Sequence, residues 1–284
     1  MRTPLLIIVS LFIFGCASSK SPYIEHTQSL TEIPDNASYH LTIPSSEGIP
    51  FSGLVSFDGV EAAGYNGLYP GGSGAVVIAA LLVHSATVES SKNRQKSELQ
   101  SKADQILVPY HSAIENLSAI DLINDTNMKI VGLNKNTDVN ATEIHVQSKP
   151  LYLISEDEKT LVLRNIVIAH SGEDANNDNV IYKNMIEVHS NTASTDAPQS
   201  HWISNDEENF RNVVHSLYVE SIQLAMDDIK NALLTDSPEK TFTYYQSNQK
   251  QYERGSLVRQ QEGRIAIRTL RGWLMSVPSS GLTP

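Results

Sequence analysis

Four arginines close to the C-terminus have the residue type and the spacing to bind an anion: Arg254, Arg264, Arg268 and Arg271. Arg264 and Arg268 are four residues apart on one predicted strand, so their side chains point to the same face of it. Arg254 is expected to join them across a hairpin. Because a guanidinium group pairs with carboxylates and phosphates through two parallel hydrogen bonds, we predict an anion-binding surface here.

The charge distribution supports that prediction. The chain has 21 basic and 32 acidic residues and a net charge of −11, yet the stretch from Glu239 onward has seven basic and three acidic residues. Such a difference between two parts of a chain bears on its partners and not on its fold. An internal alternative stays open, in which the basic tail docks on the acidic remainder of the same chain.

Other signals of chemistry are incomplete. Gly71-Gly72-Ser73-Gly74 is one residue short of the G-x-S-x-G spacing that presents a nucleophilic serine, so we predict a loop there. His170 and His189 end predicted strands without a zinc-like spacing, and we interpret them as ordinary edge residues. The sequence contains no H-E-x-x-H, P-loop or G-x-G-x-x-G motif, and we predict no cofactor.

One loop begins with the D-x-N-x-D pattern of calcium-binding loops, at Asp174, Asn176 and Asp178. Asn179 stands where such a loop requires glycine, and Met185 stands where it requires a bidentate glutamate. We therefore predict a polar hairpin loop and no bound metal, with the first three residues as the calcium candidates.

The first sixteen residues predict where the protein resides. Arg2 precedes an apolar run from Leu5 to Phe14, which is half of the roughly 20 residues that a membrane-spanning helix needs. This order is typical of a secretory signal peptide. Ile13-Phe14-Gly15-Cys16 resembles the lipobox of bacterial lipoproteins, in which the cysteine receives a diacylglycerol and becomes the mature N-terminus. The family usually has leucine at the first position of this motif, where this chain has Ile13, and a small residue at the second, where this chain has Phe14.

Cys16 is the only cysteine in 284 residues, which lipidation would explain and which leaves no internal disulfide. The resemblance implies acylation of Cys16, including palmitate, and Ala17 directly after it implies sorting to the outer membrane, on its periplasmic side. We accordingly predict a signal peptide at residues 1–15 and a tether at 16–22. An ordinary signal peptide, cleaved elsewhere, is the alternative.

The pattern of residues 23–238 predicts an α+β domain in which amphipathic helices pack on an antiparallel sheet. Strands are predicted at 128–133, 142–147, 151–155, 160–170 and 180–189. A helical stripe from Leu99 to Leu117 is interrupted at Pro109, where we expect a kink or a new helix. Residues 239–284 predict a small basic β module with strands at 241–246, 256–259, 264–270 and 273–277.

The clearest helix is predicted from Asn205 to Leu234. Ser204 and Glu207 fit a capping box at its start, and its apolar residues form one face that we expect to pack across the sheet. Residues 74–83 have no polar side chain. We predict a buried helix start there, with contact to lipid or to a partner helix as the alternative.

The whole layout, from the lipobox through an apolar Gly/Ala segment and an α+β middle to a tail ending in Gly272-Trp273-Leu274, resembles uncharacterised proteobacterial outer-membrane lipoproteins. The resemblance implies a lipid anchor and no particular activity. We expect a non-enzymatic module held on the membrane by Cys16 that binds a periplasmic protein or an anionic envelope polymer, and no nucleic acid. An envelope hydrolase with an unrecognised active site is the alternative.

Overall fold

The computed structural model describes residues 26–28, 37–44, 48–54, 98–130, 133, 142–171, 179–234, 236–246, 249–261 and 263–279. Within these residues the chain is an α+β fold, as predicted, with one mixed, mostly antiparallel sheet of ten strands packed by helices. Cys16, the tether, the Gly71–Gly74 stretch, residues 74–83 and the calcium candidates Asp174, Asn176 and Asp178 lie outside the described residues.

The ten strands are β1 (Thr27–Gln28), β2 (Ser38–Thr42), β3 (Phe51–Gly53), β4 (Glu143–Ile154), β5 (Leu161–Ser171), β6 (Val180–His189), β7 (Glu239–Gln246), β8 (Gln249–Gln261), β9 (Arg264–Thr269) and β10 (Leu274–Pro278). Their order across the sheet is β2-β4-β5-β6-β10-β9-β8-β7, with β3 beside β4 and β1 beside β6. β2 and β3 pair with β4 in parallel, as β10 does with β6.

The predicted hairpin around residues 156–159 is confirmed, and its first strand is longer than predicted. β4 runs without interruption through Pro150. The Tyr152 amide donates to the Pro50 carbonyl, so amides at alternate positions of β4 point to the edge that β2 and β3 share. Pro150 has no amide hydrogen to donate. None is required at this position, because β2 ends opposite Gln147 and β3 begins opposite Tyr152, so neither strand pairs with Pro150.

The strand predicted at 128–133 is wrong at Met128 and Lys129, which belong to a helix, and residues 131 and 132 lie outside the described residues. Ser118 caps helix α2 (Ala119–Lys129) by accepting the Ile120 amide at 3.2 Å. Leu122, Thr126 and Ile130 follow at intervals of four and are buried, which is the period of a helix and not of a strand. Within the described part of the chain, Leu133 makes an isolated bridge to Tyr39.

The interruption predicted at Pro109 is confirmed. Residues 98–104 are helical, and a 3-10 segment, Gln105–Tyr110, contains Pro109 and leads into the short helix α1 (His111–Glu115). The 3-10 geometry fits a residue that cannot donate the backbone hydrogen bond of an α-helical interior.

The long helix α3 spans Pro198–Ile229, and Ser204–Glu207 interrupts it. Ser204 is extended, and Asn205, Asp206 and Glu207 have positive φ angles between 52° and 63°. The start that we predicted at Asn205, with a Ser204–Glu207 capping box, is therefore wrong, because residues 205–207 are not helical. The second helical stretch begins after Glu207 and ends at Ile229 instead of Leu234. Its apolar face packs on the sheet as predicted, with these residues buried: Phe210, Val214, Leu217, Tyr218, Ile222, Ala225 and Ile229.

The strands of the C-terminal tail extend the same sheet. β10 pairs with β6 in parallel, with Leu274 opposite Ile186, and β9, β8 and β7 follow outward as an antiparallel meander. Gly263 and Gly272 turn the chain between these strands with φ angles of 76° and 83°, which favour glycine. The boundary predicted at residue 238 thus falls within one continuous sheet.

Alternate residues of each strand lie on two faces of the sheet. We call the side on which α3 packs the helix face and the other the outer face, where Val162, Ile166 and Met185 are buried. The sheet curls over its outer face. In a flat sheet, β7 would lie four strands, or roughly 19 Å, from β6, yet the rings of Tyr244 and His189 are 5.2 Å apart.

Candidate functional site

Arg268 pairs with an acidic residue of the protein itself. Its guanidinium lies on the helix face and donates to Asp228 of α3, with Nη2 at 2.5 Å from Oδ1. Asp228 is almost fully buried and also accepts from the Tyr182 hydroxyl at 3.0 Å and the Asn184 amide at 3.3 Å. Arg268 therefore supplies the positive charge that a carboxylate at this depth requires.

Arg264, four residues earlier, also lies on the helix face, as the strand period predicts. It donates to the Ser276 hydroxyl at 3.0 Å and to the His189 carbonyl at 2.8 Å, and its Nε lies 3.8 Å from Glu220 of α3. Arg259 joins the same group by pairing with Glu220 at 2.5 Å and Asp227 at 2.9 Å. Two of the four candidate arginines are thus docked on the chain's own long helix, in the geometry of the internal alternative.

The other two candidates are placed differently. Arg254 on β8 is 62% exposed and makes a loose ion pair at 3.7 Å with Glu239, which is itself 54% exposed. Arg271, in the turn between β9 and β10, lies over the Trp273 ring at 5.2 Å from its centroid. The structure does not bring all four arginines together, and Arg254 has its guanidinium turned to solvent.

Arg254 belongs to an exposed surface on the hairpin of β7 and β8. Tyr245 lies opposite Lys250, Thr243 opposite Tyr252, and Thr241 opposite Arg254. The strand period puts these side chains on one face, and Tyr245 and Tyr252 are 47% and 56% exposed. We call Tyr245, Lys250, Tyr252 and Arg254 the hairpin face. Exposed tyrosine and arginine side chains of this kind are enriched in binding interfaces.

A second group of charged residues is buried on the outer face. Arg164 of β5 and Glu187 of β6 lie opposite each other, and Arg164 Nε donates to Glu187 Oε2 at 2.6 Å. His189 Nε2 lies 2.8 Å from Glu187 Oε1, so the ring donates from that nitrogen to the carboxylate. All three side chains are at most 4% exposed. We call Arg164, Glu187 and His189 the buried triad.

The pKa values of the carboxyl groups on the outer face differ widely. Burial by itself would raise the pKa of Glu187, but the charge of Arg164 and the hydrogen bond from His189 lower it to about 2. Burial raises the pKa of Glu253 to about 7, the positive charge of Arg271 opposes this increase, and the negative charge of Glu187 adds to it. Glu253 is therefore half-ionised at neutral pH while Glu187 stays charged.

The buried triad holds its members in one arrangement and leaves two nitrogens without a protein partner among the described residues, Arg164 Nη1 and His189 Nδ1. Both oxygens of Glu187 accept from the triad itself. A carboxylate so engaged stabilises the fold and is poorly placed to attack or protonate a substrate.

Sequence reasoning missed this triad because it treated His189 as an edge residue. A signal was present in the chain. Arg164 interrupts the apolar run of β5 and Glu187 that of β6, and opposite charges within neighbouring apolar strands predict a buried pair. The hairpin face was missed because residues 249–255 were not predicted as part of a strand, and a strand extending to Gln249 is what aligns Lys250 and Tyr252 with Arg254.

Comparisons with known proteins do not identify the chain. It matches no protein-family model, no curated protein sequence and no solved structure. In the part of the chain that the structure describes, no helix is both long and apolar enough to cross a membrane. The same residues include no group of three or more His, Cys, Asp or Glu side chains placed to hold a metal ion.

Proposed function

We propose that this chain is a lipid-anchored lipoprotein of the bacterial outer membrane, on its periplasmic side, that binds a periplasmic protein or an envelope polymer without catalysing a reaction. The observation that carries the proposal is the single cysteine, Cys16, placed directly after the apolar run and Gly15. A diacylglycerol and an added acyl chain at Cys16 would supply the multiple apolar anchors that stable membrane attachment requires.

Replacing the anchor cysteine tests the proposed location. Cys16→Ser in the full chain should abolish incorporation of labelled palmitate and release the protein from the outer-membrane fraction. Ser10→Ala, inside the same apolar run, is the matched control and should leave both unchanged. Palmitate that still enters Cys16→Ser would refute the lipobox assignment, because Cys16 is the only cysteine available for thioether formation.

The binding role is supported by the hairpin face, a solvent-exposed group of two tyrosines and two basic residues beside an acidic protein body. The test is affinity capture from envelope extracts by the anchored protein. Tyr252→Ala serves as the comparison, since its side chain is 56% exposed and its loss should not affect folding. A partner that is enriched equally by both proteins would refute a role for this surface.

One observation favours the second candidate function, an envelope hydrolase. Glu253, with its pKa raised to about 7, would remain partly protonated at neutral pH and would suit a general acid. In that case Glu253→Gln would abolish the release of fragments from purified peptidoglycan, whereas a non-enzymatic module releases no fragments with either protein.

A further inference from the structure

We infer that the hairpin face binds an anionic polysaccharide, with the sugar rings over Tyr245 and Tyr252 and the acidic groups on Lys250 and Arg254. This inference rests on the proposed binding function and names the ligand class. It depends on the folded hairpin alone, so it does not require that Cys16 be lipidated.

The spacing of the side chains on the hairpin face suits such a ligand. Lys250, Tyr252 and Arg254 alternate along β8, so their side chains share one face, and a rise of about 3.3 Å per residue separates the two basic residues by roughly 13 Å. Tyr252 lies between them, and Tyr245 lies beside Lys250 on the neighbouring strand. The result is a row in which charged and aromatic side chains alternate, which suits a polymer of sugar rings that bear acidic groups.

The charge of the hairpin face differs from that of the whole chain. On this face the charged side chains are Lys250, Arg254 and Glu239, a net positive charge, whereas the chain as a whole has a net charge of −11. Lys250 Nζ lies 5.5 Å from the centre of the Tyr252 ring, so a ligand that contacts one of these side chains is also within reach of the other. An anionic ligand is drawn to this face and repelled by the rest of the acidic surface.

Arg254 on the hairpin face is held less tightly than three other arginines of the tail. Arg259, Arg264 and Arg268 donate to Glu220, Asp227 and Asp228 of α3 or to buried oxygens. Arg254 pairs only loosely with an exposed glutamate, and such pairs contribute little free energy. A ligand carboxylate or phosphate can therefore replace Glu239 at small cost.

The test measures binding of the full-length protein in detergent to three soluble probes at low salt. Polygalacturonate has both rings and carboxylates, dextran has rings without charge, and polyglutamate has carboxylates without rings. We expect polygalacturonate to bind at least about tenfold more tightly than either of the others, because both kinds of contact are needed.

Variants then locate the site. Tyr252→Ala should weaken polygalacturonate binding about tenfold, as loss of an aromatic anchor does. Arg254→Gln should weaken it and reduce its dependence on salt. Arg211→Gln on α3, another exposed arginine, is the matched control and should bind like the wild type. Unchanged melting temperatures would show that the variants fold.

Three results would overturn the inference: no binding of polygalacturonate by the wild type, equal binding of polyglutamate, or equal binding by Tyr252→Ala and the wild type. Equal binding of polyglutamate would point to an acidic protein partner. A failure of palmitate labelling would refute the anchor and leave this measurement unaffected, so the two proposals fail separately.

Discussion

The protonation of Glu253 offers a direct test of the curled sheet. Glu253 lies on β8 opposite Phe242, on the outer face, where the charges of Glu187 and Arg271 act on it. Glu187 is on β6, so its charge can influence Glu253 only if the β7–β8 hairpin folds back over β6. Glu253→Gln removes the titrating group and keeps nearly the same shape and volume.

The sign of the expected effect follows from proton linkage. Because burial raises the pKa of Glu253 from about 4.5 to about 7, the folded protein holds a proton that the unfolded chain has released. The free energy of unfolding therefore decreases as the pH rises from 4.5 to 7, and the decrease is complete above pH 7. The pKa difference corresponds to roughly 3 kcal/mol at about 1.4 kcal/mol per pH unit, and partial exposure of the side chain reduces this to roughly 1–2 kcal/mol.

Glu253→Gln should therefore be more stable than the wild type by about 1–2 kcal/mol at pH 8 and by only a few tenths of a kcal/mol near pH 5. Denaturant unfolding at both pH values measures the difference, and the melting temperature at pH 8 should rise by roughly 2–6 °C. Glu239→Gln, which replaces an exposed glutamate on the neighbouring strand, is the control for the loss of a surface carboxylate. A difference that is the same at pH 5 and pH 8 would contradict the burial of Glu253 by the folded-back hairpin.

Three further substitutions test the packing. Glu187→Gln should cost about 3–5 kcal/mol, because it leaves Arg164 buried without its carboxylate; a loss below 1 kcal/mol in denaturant unfolding would contradict the triad. Leu217→Asp should destabilise the protein by several kcal/mol, since it buries an unpaired charge at a side chain that is only 2% exposed. Asn212→Asp, on the exposed side of α3, is the control and should have little effect. Equal melting temperatures for these two variants would refute the packing of α3. Replacing Arg264 and Arg268 together by Gln should lower the free energy of unfolding by roughly 2–4 kcal/mol, because Asp228 loses its buried partner. The same double variant should bind polygalacturonate like the wild type. Lost binding with wild-type stability would favour an external anion at these two arginines.

Local signals account for the parts of the fold that the sequence predicts correctly. The turn at residues 156–159, the meander around Gly263 and Gly272, and the apolar face of α3 each depend on neighbours within a few residues. The strand predicted at 128–133 failed for a local reason too. The apolar residues of that run fit the period of a helix as well as that of a strand, and the cap at Ser118 favours the helix.

The partners of the arginines could not be predicted locally. The strand period correctly puts Arg264 and Arg268 on one side of β9, but it does not say what lies above that side. Asp228 and Glu220 reach them because α3 crosses the sheet, which joins residues about 40 positions apart. The buried triad could not be predicted from local sequence either, since Arg164 and Glu187 meet only through the register of β5 and β6.

The length of α3 determines which arginines remain available to a ligand. The helix ends at Ile229, and its last two acidic residues, Asp227 and Asp228, already pair with Arg259 and Arg268. Residues 249–255 of β8 pair with β7. They lie outside the parts of β8 and β9 from which Arg259 and Arg268 reach α3. Five of the seven basic residues of the tail thus fall into two groups. Arg259, Arg264 and Arg268 lie at the acidic residues of α3, where we expect their loss to lower stability. Lys250 and Arg254 lie on the exposed hairpin face, where we expect a small contribution to the fold. A residue that the fold does not require can be removed without unfolding the protein, so binding that is lost on changing Tyr252 or Arg254 would report on the ligand alone.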